Sequence, residues 1–426
     1  MRALMGDRNA RFYLGGQFFS LFGDTALWLA MGIWVKELTH SNAEAGLTFF
    51  FFAVPSLASP LAGLVVDRIR RRPVLFAANL GGAAVVLPLL LVHGRGQVWI
   101  IWLVMVGYGI VYDFLGSAQS AYLVTMLPDE LLGDANAALS TTREGLRLIA
   151  PLAGAGLLTL VGGGAVAIID AGTFLVAALS LCAVRVHEPK PGRSAQHFVA
   201  EVLAGVRHVS RIVVLRQAVI AAGVSCLVVG FLETLMFAVV SEGLHRPPTF
   251  LGVLLSLQGA GAIGGGLTAS SLIRRYGEGL VVGGGLVVLG AGTALLMIAS
   301  LAPVVAGTLL LGASLPWLIV ALITLTQRRT PPELQGRVSS AVDLIVATPQ
   351  TISIAVGAAI VGLAPYALLV AIVAGVLAAS GAWLLTRREQ WEDRGGSGTA
   401  EPVASGAADP ATVEAPGSEP ARLESA

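Results

Sequence analysis

The stretch Gly63-Leu-Val-Val-Asp67-Arg68-Ile-Arg70-Arg71-Arg72-Pro73 sets four arginines and an aspartate between two apolar runs, 46–66 and 74–92. A membrane-spanning helix takes about 20 mostly apolar residues, so this charged hinge separates two spans and belongs to one membrane face. Working outward with the same ruler, apolar segments lie near 12–35, 46–66, 74–92, 98–123, 136–160 and 164–184. Beyond a polar centre they recur near 214–240, 250–270, 280–300, 303–326, 338–362 and 364–385. The pattern predicts an all-α polytopic membrane protein with twelve transmembrane helices. The fifth segment carries Arg143, Glu144 and Arg147, and the eleventh carries Asp343.

Composition agrees. Of 426 residues 55% are hydrophobic and 12% charged, where soluble domains carry about 25% charge. A formal net charge of +1 leaves no bulk basic surface for nucleic acid. Cys182 and Cys226 both lie in apolar runs, so neither a disulfide framework nor a cysteine metal site is expected. The only lysines, Lys36 and Lys190, are followed by Glu37 and Pro191, which excludes a phosphate-binding Gly-x-x-x-x-Gly-Lys-[Ser/Thr] loop. There is no His-Glu-x-x-His site either. The reading is a protein without cofactor, metal or enzymatic chemistry.

Arginine and lysine concentrate in loops on the cytoplasmic side of a membrane. Arg2, Arg8, Arg11, the loop 68–72, the centre 185–216, and the later sites Arg274, Arg275, Arg328, Arg329, Arg337, Arg387 and Arg388 all fall on one face, leaving Lys36, Arg95 and Arg246 opposite. Both termini and the centre are therefore expected in the cytoplasm, with the chain multi-pass in the cell membrane. The first span lacks a cleavage pattern and reads as a retained helix.

The hinge also repeats. An offset of 203 carries Gly63 onto Gly266, Arg71 and Arg72 onto Arg274 and Arg275, Pro128 and Glu130 onto Pro331 and Glu333, and Gly154 onto Gly357. Each copy holds six helices, so the repeats are parallel and relate by an axis along the membrane normal, with a site between them at the midplane. The domain reading is a cytoplasmic amino end 1–11, a six-helix bundle 12–185, a linker 186–213, a second bundle 214–388 and a disordered tail 389–426, too poor in apolar residues to order itself. Within the linker, His197, Phe198, Val202, Leu203, Val206 and Val209 recur at helical spacing, as in an interfacial amphipathic helix.

The quoted hinge resembles the loop 2–3 signature of the major facilitator superfamily, and its eroded copy starts at Gly266. Phe22-Gly23-Asp24, Asp134-Ala-Asn136, Ile169-Asp170-Ala171-Gly-Thr-Phe174 and Gly336-Arg337-Val338 resemble the subgroup of macrolide-efflux and enterobactin-exporter proteins. Ala150-Pro151-Leu-Ala-Gly154-Ala-Gly156 is similar to the helix 5 motif of the superfamily's antiporters, with Ala150 in place of the first glycine. The resemblance implies export and cavity walls from helices 1, 4, 7 and 10. It also implies a cytoplasmic gate at Gly63, Asp67, Arg68, Arg71 and Arg72; topology alone would equally explain those arginines. Helix 4 here lacks the arginine that many members link to proton coupling.

Charges in a bilayer cost several kcal/mol unless paired or hydrated, which makes each buried acid a functional candidate. Asp24 in helix 1, Asp113 in helix 4 and Glu233 in helix 7 are the candidates for proton coupling, or else packing groups bonded to nearby polar atoms. Arg143 and Arg147, spaced i, i+4, either snorkel or pair with Glu144. Asp170 and Asp343 fall near segment ends and read as structural. Pro151 and Gly154 suit a kink or a tight helix contact. An almost wholly apolar helix 10, with Trp28, Tyr108, Tyr112, Phe231 and Trp317 on cavity helices, suits a lipophilic or amphipathic solute.

The expectation is a monomeric proton-coupled exporter of a drug, macrolide, siderophore or secondary metabolite, whose partners are the lipid bilayer, the solute and protons. Proton-coupled import and a non-transporting sensor on the same fold are the rival readings.

Overall fold

The computed structural model describes residues 2–59, 65–66, 68–186, 188 and 198–392, and every regular element among them is helical. Helix α1 (Arg8–Thr39) starts at Asp7, whose carboxylate accepts the Ala10 N–H at 2.8 Å. It stops at His40, which takes a left-handed conformation (φ 55°) and gives its N–H to the Lys36 carbonyl. Ser41 then caps α2 (Asn42–Ala53) by accepting from the Glu44 N–H, so the chain reverses in two residues. Pro55 sits at the start of a tight turn, Val54–Ala58, that carries α2 onward.

Helices α3 (Arg71–Val86) and α4 (Val98–Met126) follow. The long run Asp129–Ala183 is broken at Gly162 (φ 79°, ψ 166°), a region essentially open to glycine alone. It divides into α5 (129–161) and α6 (163–183). Along α1 the α6 contacts run backwards, Gly16 against Ser180, Gly23 against Thr173 and Trp34 against Gly163, while Ala26 meets Gly154 of α5. The two helices flank α1 in opposite directions, with the reversal at Gly162.

A linker helix (Phe198–Arg211) leads to α7 (Val213–Ala238), a π-helical turn (Val239–Gly243), α8 (Phe250–Tyr276), α9 (Glu278–Leu295), α10 (Leu301–Arg328), α11 (Gln335–Ile360) and α12 (Tyr366–Leu385). Ten helices among the described residues are long and apolar enough to cross a membrane. That number takes α5 and α6 as one stretch and leaves out α2, of whose apolar run 46–66 residues 60–64 lie outside the described residues. Dividing at Gly162 and adding α2 gives the twelve expected.

Neighbours within α1–α6 and within α7–α12 pack extensively, and the halves meet where α2 touches α7 and α11 and where α5 touches α8. Odd-numbered helices start on the face where α1 begins and α12 ends, here the terminal face; even-numbered ones start on the distal face. On the terminal face, the Glu188 carboxylate accepts the Arg71 and Arg72 N–H groups at the positive end of α3. The linker helix lies on the end of α11, with Gly205 against the Arg337 backbone and the His208 ring 2.9 Å from the Arg329 carbonyl.

The tail departs from expectation at its start. Arg388–Glu392 forms a short helix, and Gln390, only 2% exposed, donates to the Val214 carbonyl and to Gln217 Oε1 at 3.1 and 2.9 Å. One amide with two acceptors pins a segment whose composition promised no order. The disorder expected further on falls on 393–426, outside the described residues.

The space around Gly162 is open, so a methyl group there meets only the backbone restriction. Gly162→Ala is expected to cost about 1–3 kcal/mol, seen as a lower thermal unfolding midpoint. Gly156→Ala, equally open but helical, is expected to be neutral or slightly stabilising.

Candidate functional site

The midpoint of α1 carries Gly23 and Asp24. A Cβ at Gly23 would strike Thr173 and Asp170 of α6, so glycine lets α6 lie directly on α1. From the third side Tyr108 of α4, 2% exposed, donates its hydroxyl to Asp24 Oδ1 at 2.7 Å. Ser20, one turn back, also reaches Asp24. Asp170 is 1% exposed and lies beside the same tyrosine hydroxyl, with Thr173 Oγ1 bonded to its carbonyl at 2.8 Å and to Oδ1 at 3.4 Å. Its Oδ2 is buried without a hydrogen-bond partner among the described residues. Phe174 packs edge-on against Tyr108 at 5.8 Å.

Asp170 therefore belongs to the centre of the first half and not to a helix end. Because α6 starts at 163 and runs along α1, its eighth residue reaches the level of Gly23. The available signal was an aspartate inside an apolar span, the same one that marked Asp24.

Asp113 is placed elsewhere. Five residues from Tyr108, it points to a different face of α4, half-buried beside Tyr112, with no charged or hydrogen-bonding group bearing on it among the described residues. Glu233 belongs to the other half of the molecule. It stands one turn before Phe237 on the same face of α7, partly buried and likewise without such a partner.

Above these acids an aromatic roof crosses from one half to the other. Trp28 lies 4.4 Å from Phe49 of α2, and Phe49 stacks on Phe237 of α7 at 5.8 Å. Beyond it the distal end is closed: Asn42 Nδ2 donates to Glu242 Oε1 at 2.7 Å, Ser241 donates to Asn42 Oδ1 at 3.4 Å, and Gly46 lies tight against Thr234. The pair Asn42 and Glu242, absent from the sequence reading, bridges the two halves from the first residue of α2 to the π-helical turn after α7, positions that carry no motif. Lys36, nearby and 9% exposed, gives its ammonium to the His40 carbonyl.

Tyr112 meets Phe52 edge-on at 5.6 Å, Phe231 lies against Gly357 of α11, and the Trp317 indole donates to the Gly265 carbonyl and Thr268 Oγ1 of α8. Trp317 thus ties α10 to α8. In the antiporter-like stretch, Gly154 lies on the Ala26 backbone, the Pro151 carbonyl is 2.8 Å from where a Cβ on Gly252 of α8 would stand, and Gly156 faces open space. Arg143 donates to Gln119 at 3.1 Å and Arg147 pairs with Glu144 at 3.4 Å.

Of the expected gate, Gly63 and Asp67 lie outside the described residues. Arg68 begins the turn that follows them, its N–H bonded to the Val65 carbonyl. The Arg72 guanidinium donates to the Leu181 and Cys182 carbonyls at the end of α6, and Arg71 meets Glu188 of the linker through its backbone, so these contacts involve the first half and the start of the linker.

Comparison with known proteins fits this architecture. The family model described as Major Facilitator Superfamily matches residues 13–245 and 218–416. The chain belongs to that superfamily. A relative named as an uncharacterized MFS-type transporter, YfiS of Bacillus subtilis (strain 168), is 22% identical over 348 residues, covering 77% of this chain and 81% of the relative. Among solved structures, a bacterial homologue of the iron transporter ferroportin in an inward-facing state superposes with a TM-score of 0.69 at 15% identity, covering 89% of this chain and 98% of that one. The nucleoside transporter NupG, in a mutant form, superposes with 0.72 at 14% identity over 89% and 99%. At such identities the likeness establishes the all-helical fold alone; membership of the superfamily makes the chain a multi-pass membrane transporter of small molecules and not an enzyme.

The distal closure is testable. Asn42→Ala removes a bond to a charged group, worth about 1 kcal/mol at a partly exposed site, and roughly a fivefold shift toward the distal-open state is expected. Labelling of Ser241→Cys by a membrane-impermeant maleimide should quicken accordingly; an unchanged rate would show that the bond does not hold the closure.

Proposed function

We propose that this superfamily member is a proton-coupled exporter of a lipophilic or amphipathic small molecule, working as a monomer in the cell membrane with both termini in the cytoplasm. The observation that carries this reading is the aromatic roof of Trp28, Phe49 and Phe237 across the two halves, with Asp24 and Glu233 beneath it. Aromatic faces accept apolar solutes and organic cations. Carboxyl groups at that depth supply the charge that can be exchanged between solute and proton.

The halves, 12–185 and 214–388, move as bodies about the α2–α11 and α5–α8 contacts, and the linker 186–213 with its helix joins them on the cytoplasmic face. With the distal end closed, loading is from the cytoplasm. The antiporter-like stretch at Pro151 and Gly154 supports export: its backbone is the surface on which α5 meets both α1 and α8. The loop from Gly63 to Arg72 forms the cytoplasmic gate. In it the hold of Arg72 on the end of α6 couples the loop to the helix that backs Asp24. Asp113 and Glu233 are further proton-coupling positions.

The test uses full-length protein in proteoliposomes with an acid-loaded lumen, challenged with ethidium, a macrolide and a catecholate siderophore. Where the cytoplasmic face is outward, addition of a transported compound should release protons from the lumen as the compound enters. Asp24→Asn should slow this release by about a factor of ten or more. Compound and protons moving in the same direction would make the protein an importer, and proton release that is unaffected by any of the three would remove them as substrates.

A further inference from the structure

We propose that Asp24, Tyr108 and Asp170 form one proton-holding site, in which Asp170 carries the proton and Tyr108 joins it to Asp24. This deepens the proton-coupled reading and rests on it. The argument is a count of hydrogens. A phenol has a single hydrogen and lone pairs to accept; Tyr108 gives its hydrogen to Asp24 Oδ1 at 2.7 Å. The same hydroxyl lies beside Asp170, whose Oδ2 is buried and unpartnered. A buried acceptor without a donor is costly. A proton turns the Asp170 carboxyl into a donor, and the Tyr108 oxygen beside that carboxyl is an acceptor. With one proton on the pair, the chain Asp170 to Tyr108 to Asp24 is complete; with none, two like charges face each other in a low dielectric.

Among the described residues around the pair, no counter-charge bears on either acid. Besides these three residues, α1 and α6 present the hydroxyls of Ser20 and Thr173. The Asn79 amide of α3 is bonded to the Leu75 carbonyl, α2 brings Phe52 against Tyr108, and α5 meets α1 through Gly154. The Arg143 guanidinium of α5 is occupied by Gln119. Asp24 is partly exposed while Asp170 is sealed, so the proton enters and leaves through Asp24 and is stored on Asp170. The exchange is one proton taken from the medium and one returned to it, with the tyrosine hydrogen reversing its direction between the two carboxyls.

The proposal is tested by infrared difference spectroscopy of the purified full-length protein between acid and alkaline pH, without any solute. The wild type should show a carboxylic acid C=O band that disappears on alkalinisation. This band should be lost in Asp170→Asn, which mimics the protonated acid in shape, and its frequency should shift in Asp24→Asn and in Tyr108→Phe, which change the chain of bonds from the Asp170 carboxyl. A band that survives in Asp170→Asn, or one that Tyr108→Phe leaves unmoved, overturns the site. Loss of the band on adding sodium at constant pH also overturns it, in favour of a bound cation. Ethidium counterflow in proteoliposomes separates the two levels. Band behaviour as expected in a protein that moves no compound upholds the site and sinks the exporter reading, whereas proton-driven ethidium transport surviving both Asn substitutions overturns the site as the coupling group.

Discussion

A carboxyl group removed from water must find a donor, a counter-charge or a proton, and the packing of α1, α4 and α6 follows from how Asp24 and Asp170 meet that demand. Gly23 removes the side chain that would keep α6 away, and Tyr108 brings the hydroxyl that both acids can use. In lipid there is little hydrophobic drive to press helices together. Close backbone contact and shared polar groups take its place, and at this level of the first half they coincide.

The second constraint is that two half-molecules must be joined firmly enough to close one end and loosely enough to part. The contacts across the divide answer in two ways. Along α5 and α8 they are backbone on backbone, as at Gly252 against the Pro151 carbonyl and Gly259 against the Arg147 carbonyl; such surfaces can slide or pivot without unpairing charge. At the distal end they are a few polar bonds, Asn42 to Glu242 and Ser241 to Asn42, each worth about 1 kcal/mol. Such bonds are weak enough to break under the binding energy of a small solute.

On the terminal face, polar groups hold the helix ends in place. Glu188 at the start of α3, Arg72 at the end of α6 and His208 at the Arg329 carbonyl each satisfy backbone groups that a helix leaves open, and Gln390 ties the tail to the start of α7. The arginines of the loops thus include some with a definite bonding role, Arg72 among them.

The span pattern, the repeat and the superfamily were legible in the residues because spans must be apolar over about 20 positions, and the loop signature survives as a contiguous string from Gly63 to Pro73. Asp24 was legible as a charged group in an apolar run, and so was the stacking potential of Trp28 and Tyr108. What the string could not tell is which acids meet. Asp170 joins Asp24 across 146 positions only because α5 and α6 reverse at Gly162 and lay α6 along α1, while Asp113, equally conspicuous in sequence, turns to a different face of α4. Likewise, the bond from Asn42 to Glu242 joins residues 200 positions apart. Hydropathy is a local property and fixes where the chain crosses; hydrogen bonding is a property of proximity, which only the packed helices decide.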